Sequence, residues 1–299
     1  MRKIFLLIIL GVLLAACGGA VTPASTPTVM PSATSDANPM LLRQVELETQ
    51  TGTAYTLAWS FDGETLAVAS GGEITLLRDD LNEIQAVLEP DNGALGVTWN
   101  SDETQFATVN GFKNPTITIW DFDGDNQIAH IQDVQADTDQ YGVAWSPNGA
   151  ILATLAGDAQ SVIQLWDTNT WVMTQEFELP YTKPRRALSW NADSSSLYGA
   201  GELTGQTAIF VMKVTDGTVE ELGKFPVAQA EVFAVSPDAS RIAISDPRGV
   251  VLIVDAVSGE IVGGFKSVDQ SVDMAWNPNG MTLAILSYEG TLQLWQTQR

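Results

Sequence analysis

Only one histidine and one cysteine occur in the 299 residues, and Lys and Arg together number 14 against 36 Asp and Glu. Each scarcity removes a class of function. A lone thiol, Cys17, cannot close an internal disulfide. The one imidazole, His130, cannot build a His-rich metal centre, and no His/Asp/Glu spacing suits one, so neither metal nor cofactor is expected. There is no Gly-x-Ser-x-Gly elbow and no phosphate-binding glycine loop, which leaves no catalytic constellation to point to. A formal charge of −22 repels nucleic acid and anionic lipid headgroups, and nucleic-acid binding is set aside. Helical periodicity is also missing; the apolar residues, 45% of the chain, instead alternate in short runs.

The first residues read as an address. Arg2 and Lys3 precede an apolar run from Ile4 to Leu14, too short to cross a bilayer comfortably, and Leu14-Ala15-Ala16-Cys17-Gly18 follows. This ending resembles the bacterial lipoprotein signal, in which the Cys becomes the lipidated first residue of the mature protein. The resemblance implies a signal peptide over 1–16, lipid on Cys17 and a domain outside the cytoplasm, held at the membrane of a bacterial cell envelope. Several acyl chains on one residue would supply stable anchoring. Residues 18–40 are rich in Pro, Thr, Ser and Ala with Asp36 as the only charge, a composition expected to form a tether rather than a core.

From residue 41 onward one phrase recurs six times. It runs Ala58-Trp59-Ser60-Phe61-Asp62-Gly63, Val97-Thr98-Trp99-Asn100-Ser101-Asp102, Val143-Ala144-Trp145-Ser146-Pro147-Asn148, Leu188-Ser189-Trp190-Asn191-Ala192-Asp193, Phe233-Ala234-Val235-Ser236-Pro237-Asp238 and Met274-Ala275-Trp276-Asn277-Pro278-Asn279. The central positions are separated by 40, 46, 45, 45 and 41 residues, the signature of a repeat architecture. After each phrase the polar tail reads as a hairpin turn, followed by a short apolar strand, a second turn and a third strand such as Thr116–Asp121 or Val162–Asp167. An alternating outer strand completes the unit. Six units of four strands predict about 24 strands and an all-β array.

The pairs Trp120-Asp121 and Trp166-Asp167, with the Ser/Asn-Pro-Asp/Asn-Gly turns, resemble WD40 repeats, and the resemblance covers 41–299. It implies a β-propeller that serves as a platform for other proteins; the count of phrases makes it six-bladed, where seven, the commoner number in that family, would need one divergent blade. The chain departs from that pattern in lacking Gly-His before the phrase, so the Asp–His–Ser–Trp arrangement of many such blades cannot be complete. The Pro-Asp turns are also similar to those of TolB-type propellers. Residues 41–48 form an outer strand with no inner strands before it, and the chain stops after a third strand. The first segment is therefore expected to close the ring by pairing with the last blade, removing two free sheet edges.

Eight of the nine tryptophans fall at two repeat positions, 59/99/145/190/276 and 120/166/295, which predicts core packing. Trp171 stands apart, at a turn position where other units carry Gly217 and Gly259, and is expected to be exposed and available for contact. The loop Pro180-Tyr181-Thr182-Lys183-Pro184-Arg185-Arg186 concentrates basic residues in an acidic chain, on a rim facing an acidic neighbour with Asp133, Asp137 and Asp139. Tyr181, Lys183, Arg185 and Arg186 are candidates for docking an acidic partner, or the two loops neutralise each other. Asp121, Asp123 and Asp125 alternate like the start of a calcium loop, but Gly124 and Gln132 break the EF-hand pattern, leaving a weak cation candidate or a charged turn. The function expected is that of a monomeric, membrane-tethered interaction scaffold whose partners are envelope or extracellular proteins. The alternatives are an envelope enzyme with a carboxylate site in the propeller channel and a binder of small ligands or cations.

Overall fold

The structure is a computed structural model, and it describes residues 39–47, 54–70, 72–88, 94–110, 116–122, 127–131, 140–157, 159–185, 187–222, 232–268 and 270–297. The putting-together of strands follows the repeat. Blade 1 holds β2 (Ala54–Trp59), β3 (Thr65–Ser70), β4 (Glu73–Arg78) and β5 (Ile84–Leu88), and blade 2 holds β6 (Gly96–Trp99), β7 (Gln105–Asn110), β8 (Thr116–Asp121) and β9 (Gln127–Ile131). Blade 3 consists of β10 (Gln140–Trp145), β11 (Ile151–Ala156), β12 (Val162–Asp167) and β13 (Val172–Glu178). Blade 4 follows with β14 (Leu188–Trp190), β15 (Ser196–Leu203), β16 (Gln206–Lys213) and β17 (Val219–Glu221). Blade 5 is β18 (Val232–Val235), β19 (Arg241–Ser245), β20 (Val250–Asp255) and β21 (Ile261–Lys266). In blade 6, β22 (Ser271–Trp276), β23 (Thr282–Ser287) and β24 (Thr291–Gln296) are joined by β1 (Met40–Glu46). The protein is a six-bladed β-propeller.

Closure occurs as the chain ends predict. β1 pairs antiparallel with β24 from Met40↔Gln296 to Glu46↔Thr291, with one bulge at Leu41/Arg43. The pairing is tied by side chains as well: Thr291 Oγ1 donates to Glu46 Oε2 at 2.7 Å and Gln293 Nε2 to Gln44 Oε1 at 2.7 Å.

The turn after each inner strand explains the polar half of the phrase. In five blades the Ser or Asn after the central position accepts, through its side-chain oxygen, the backbone N–H of the residue five places on. The pairs are Ser60/Thr65, Asn100/Gln105, Ser146/Ile151, Asn191/Ser196 and Ser236/Arg241, at 2.9–3.0 Å. The Asp or Asn two residues later caps the amide two positions beyond it, as Asp62 does for Glu64 and Asn279 for Met281. These bonds hold carboxylates in their charged form. The Ser236 and Ser240 hydroxyls bring Asp238 down to about 2, and the Thr104 hydroxyl and N–H likewise lower Asp102. Two positions before the second strand the backbone is left-handed in all six blades, at Gly63, Glu103, Gly149, Ser194, Ala239 and Gly280. Two of the non-glycine cases repay the strain with bonds between blades: the Asp62 N–H donates to the Glu103 carboxylate, and the Asn148 N–H to Ser194 Oγ at 3.1 Å.

The core is divided among the six blade interfaces. Strand alternation sends the phrase Trp onto the preceding blade and its Ala neighbour onto the following one. Trp99 thus packs on Ala67, Ala69, Ile74 and Leu76 of blade 1, and Trp276 on Val232, Ala243 and Val251 of blade 5. Among the described residues the interface between blades 4 and 5 has the smallest core and no Trp, because Val235 stands at the Trp position.

Candidate functional site

The six inner strands converge on a central channel, and there they enclose a cavity of about 390 Å³. Its wall is mostly apolar. Around it stand Trp59, Trp99, Trp145, Trp190 and Trp276, with Val235 in the sixth place, and Phe61, Pro147, Ala192, Pro237 and Pro278 from the turns form a collar at the same end. Pro237, Pro278 and Ala192 are exposed, while Phe61 and Pro147 are half-buried. Four of the phrase tryptophans are buried core residues, as their spacing predicts, Trp190 is half-buried against the core, and all five line the channel as well. Spacing along a strand reports which face a side chain takes; it does not report that six such strands meet at one axis.

Four indoles are fixed by one repeated bond. Trp59 Nε1 donates to the Ala275 carbonyl, Trp99 to Ala58, Trp190 to Ala144 and Trp276 to Ala234, at 3.0–3.3 Å. In each case the acceptor is the residue just before the central position of the preceding blade. Two junctions depart from this. Trp145 donates its indole N–H to Gly149 O at 3.1 Å, and its backbone N–H reaches Thr98 Oγ1 at 3.1 Å. Val235 has no indole, and the residue matching the acceptor alanines is Ser189, whose buried Oγ has no hydrogen-bond partner. Hydroxyl residues thus occupy the acceptor position at the two junctions without an indole bridge, and alanine occupies the other four.

Among the described residues one acid lines the channel. Asp273 is buried and accepts Thr56 Oγ1 at 2.6 Å and the Leu57 N–H at 2.9 Å through Oδ2, with the Met274 N–H on Oδ1 at 2.8 Å. It joins the last blade to the first at the seam. A channel enzyme working through paired carboxylates would find a single one among the described lining residues, already held in place by donors.

The residues singled out in sequence fall elsewhere, and several are differently placed. Trp171 takes the left-handed turn position shared with Gly217 and Gly259, with φ of 55° against 70° for both, and the same N–H to i−4 carbonyl bond. It is nevertheless half-buried, edge-on to Trp145 at 5.6 Å, so its ring is covered on one side rather than displayed. Tyr181 is buried at 3% exposure and stacks on Phe210 at 4.7 Å, interplanar angle 11°. It is a core residue of the interface between blades 3 and 4, and burial, with Glu221 second, raises its phenol above the ordinary value. Lys183 pairs with Glu202, on the hairpin of the same blade, at 3.0 Å, and Arg185 approaches the same carboxylate at 3.9 Å. Asp121 ends β8 half-buried. Cys17, Asp123, Asp125, Arg186 and the acidic loop with Asp133, Asp137 and Asp139 lie outside the described residues. Among the described residues no group of three or more His, Cys, Asp or Glu is arranged to hold a metal.

The ring of four-stranded blades and its closure define the protein's class, a six-bladed β-propeller. Comparison with solved structures agrees. The β-propeller domain of Cps50 (Swd1) from Myceliophteria thermophila superposes with a TM-score of 0.65 at 10% identity, covering 86% of this chain and all of that one. Hydrazine synthase from Kuenenia stuttgartiensis gives 0.63 at 11% identity, over 85% of this chain and 98% of that one. At these identities the likeness is one of fold. No family model matches the chain in sequence, and no curated protein does.

Proposed function

We propose that the protein is an interaction scaffold, tethered outside the cytoplasm by lipid on Cys17, whose partner protein seats on the collar of the channel mouth. The observation that carries this reading is the collar itself: Phe61, Pro147, Ala192, Pro237 and Pro278 bring five apolar side chains to one rim, around a channel wall of tryptophan. Rim residues on short turns are held rigidly by the capping bonds described above, so a partner pays little to order them. Apolar and aromatic clusters that border a pocket are where interface energy concentrates. The lipid reading rests on the Leu14-Ala15-Ala16-Cys17 ending and on Cys17 being the sole thiol.

The test uses chemical cross-linking of the full chain in its native membrane, comparing the parent with a Phe61→Asp/Pro278→Asp double variant. A partner cross-linked by the parent and lost from the variant is the expected result. Identical cross-linked products from both would remove the collar from the account. Cys17→Ser should move the protein out of the membrane fraction, and continued retention would reject the lipid anchor.

A further inference from the structure

The six inner turns, five of which carry the collar, span residues 60–64, 100–104, 146–150, 191–195, 236–240 and 277–281, and they hold six carboxylates and no basic residue. Four of the acids stand at the capping position, Asp62, Asp102, Asp193 and Asp238, where blades 3 and 6 have Asn148 and Asn279. Asp and Asn do the same local work there. Asp62 Oδ1 accepts the Glu64 N–H at 2.8 Å, as Asn148 Oδ1 accepts the Ala150 N–H at 3.0 Å and Asn279 Oδ1 the Met281 N–H at 2.7 Å. The turn therefore needs an oxygen and not a charge. The bonds that fix Asp102, Asp193 and Asp238 likewise end on Oδ1, and these side chains are exposed. Capping hydroxyls and amides hold all three carboxyls below the ordinary value, so each is charged at neutral pH.

The acids crowd on the side of the one aromatic collar residue, Phe61. The turns of blades 1 and 2 carry Asp62, Glu64, Asp102 and Glu103, and the Asp62 N–H donates to the Glu103 carboxylate across the junction. Burial, and after it the Asp62 and Glu64 carboxylates, raises Glu103 above its ordinary value. A cation brought to this side relieves the repulsion. Arg241, which follows the blade 5 turn, is engaged over Trp276 at 4.8 Å and on Gly280 O at 2.9 Å. Among the described residues no three acids are arranged to hold a metal ion, so the charges suit cationic side chains spaced along a partner.

We infer, taking the collar as the docking surface, that its partner is a basic protein segment in which lysine or arginine flanks an apolar side chain. The apolar group covers Phe61, and the bases meet the carboxylates of the blade 1 and 2 turns. Apolar burial supplies the affinity, while the charges select the partner and speed its approach. Each pair at an exposed rim is weak and screened by salt, so the selection comes from several acting together.

Two labelled peptides, Lys-Lys-Leu-Lys-Lys and Glu-Glu-Leu-Glu-Glu, titrated against the full chain by fluorescence anisotropy test the charge. The deciding variant is Asp62→Asn/Glu64→Gln/Asp102→Asn/Glu103→Gln, which keeps the capping oxygens. Its control, Glu178→Gln/Glu220→Gln/Glu221→Gln/Glu289→Gln, removes as many charges from exposed sites away from the inner turns. The Lys peptide should bind parent and control alike and the variant about 10-fold more weakly, a difference that fades in about 0.5 M salt. No binding to the parent, equal binding to the variant, an equal loss in the control, or equal binding of the Glu peptide would each overturn the inference. The native-membrane cross-link separates this chemistry from the collar itself. A product lost from Phe61→Asp/Pro278→Asp but kept by the four-acid variant leaves the collar standing and rejects the basic partner. A product kept by both removes the collar, and the inference with it; a product lost from both supports the inference.

Discussion

Replacing Thr56 with Val removes one hydroxyl and almost no volume, at the point where the last blade meets the first. Thr56 Oγ1 donates to Asp273 Oδ2 at 2.6 Å, between residues 217 positions apart in sequence. Both residues are buried, Thr56 at 8% and Asp273 at 6% exposure, so water from the channel replaces the lost bond only in part. Hydrogen bonds to a charged group contribute about 1.5–3 kcal/mol, against about 0.5–1.5 for neutral pairs. The Leu57 N–H still reaches the same oxygen and the Met274 N–H the other, so the carboxylate is weakened rather than orphaned. A loss near 2 kcal/mol follows, which for a domain of this size lowers the thermal midpoint by about 4–8 °C. Urea unfolding followed by circular dichroism measures it. Thr98→Val is the internal control, because Thr98 Oγ1 accepts only a neutral backbone N–H, Trp145's, at 3.1 Å, and should cost about half as much. A Thr56→Val protein within about 0.5 kcal/mol of the parent would refute the idea that this buried carboxylate locks the seam.

Ala239 has φ of 55° in a turn where three other blades use glycine. Left-handed backbone costs a non-glycine residue about 1–2 kcal/mol, and glycine gives back about 0.4–1 in unfolded-state entropy, so Ala239→Gly should gain roughly 0.5 kcal/mol by urea titration. Gly63→Ala should do the reverse, since its Cβ would lie 2.7 Å from Asn277 Oδ1 across the seam. The Asp238 carboxyl, depressed from 3.8 to about 2 by Ser236 and Ser240, stabilises the fold fully above its unfolded value. That contribution is lost as pH falls from 3.8 towards 2, and after discounting for exposure it amounts to less than about 1 kcal/mol. An Asp238→Asn protein should show a shallower fall in thermal midpoint over that window than the parent. Lys183→Ala should change stability by less than about 0.5 kcal/mol, because the Lys183 side chain is 63% exposed and its ion pair with Glu202 is open to solvent.

Much of the fold was legible because a repeat states its own geometry. The phrase spacing gave six blades, and the unmatched strand at the start implied closure by β1. The Ser/Asn and Asp/Asn positions announced the turns that their side chains cap. What escaped sequence reasoning was tertiary. Trp59 and its equivalents read as core, and they are, yet convergence of the inner strands also makes them a channel wall. The signals were present in the repeat: Thr98 and Ser189 where other blades carry alanine, and Val235 where others carry tryptophan. Tyr181 looked like a rim aromatic because its neighbours are charged. In the fold it turns inward onto Phe210, while Lys183 and Arg185 fold over Glu202. Trp171 looked displayed because its backbone position belongs to glycine elsewhere, but a left-handed turn fixes the backbone and leaves the ring to pack on Trp145.

Closure of the ring rests on β1 completing the last blade, and a cross-link across that pair tests it directly. Gln44 and Gln293 are facing partners in the β1–β24 register. In a Cys17→Ser background, Gln44→Cys/Gln293→Cys should oxidise within one chain, remain monomeric and unfold at a higher urea concentration than its reduced form. A disulfide joining two chains, or thiols that stay free under oxidation, would contradict the closed ring.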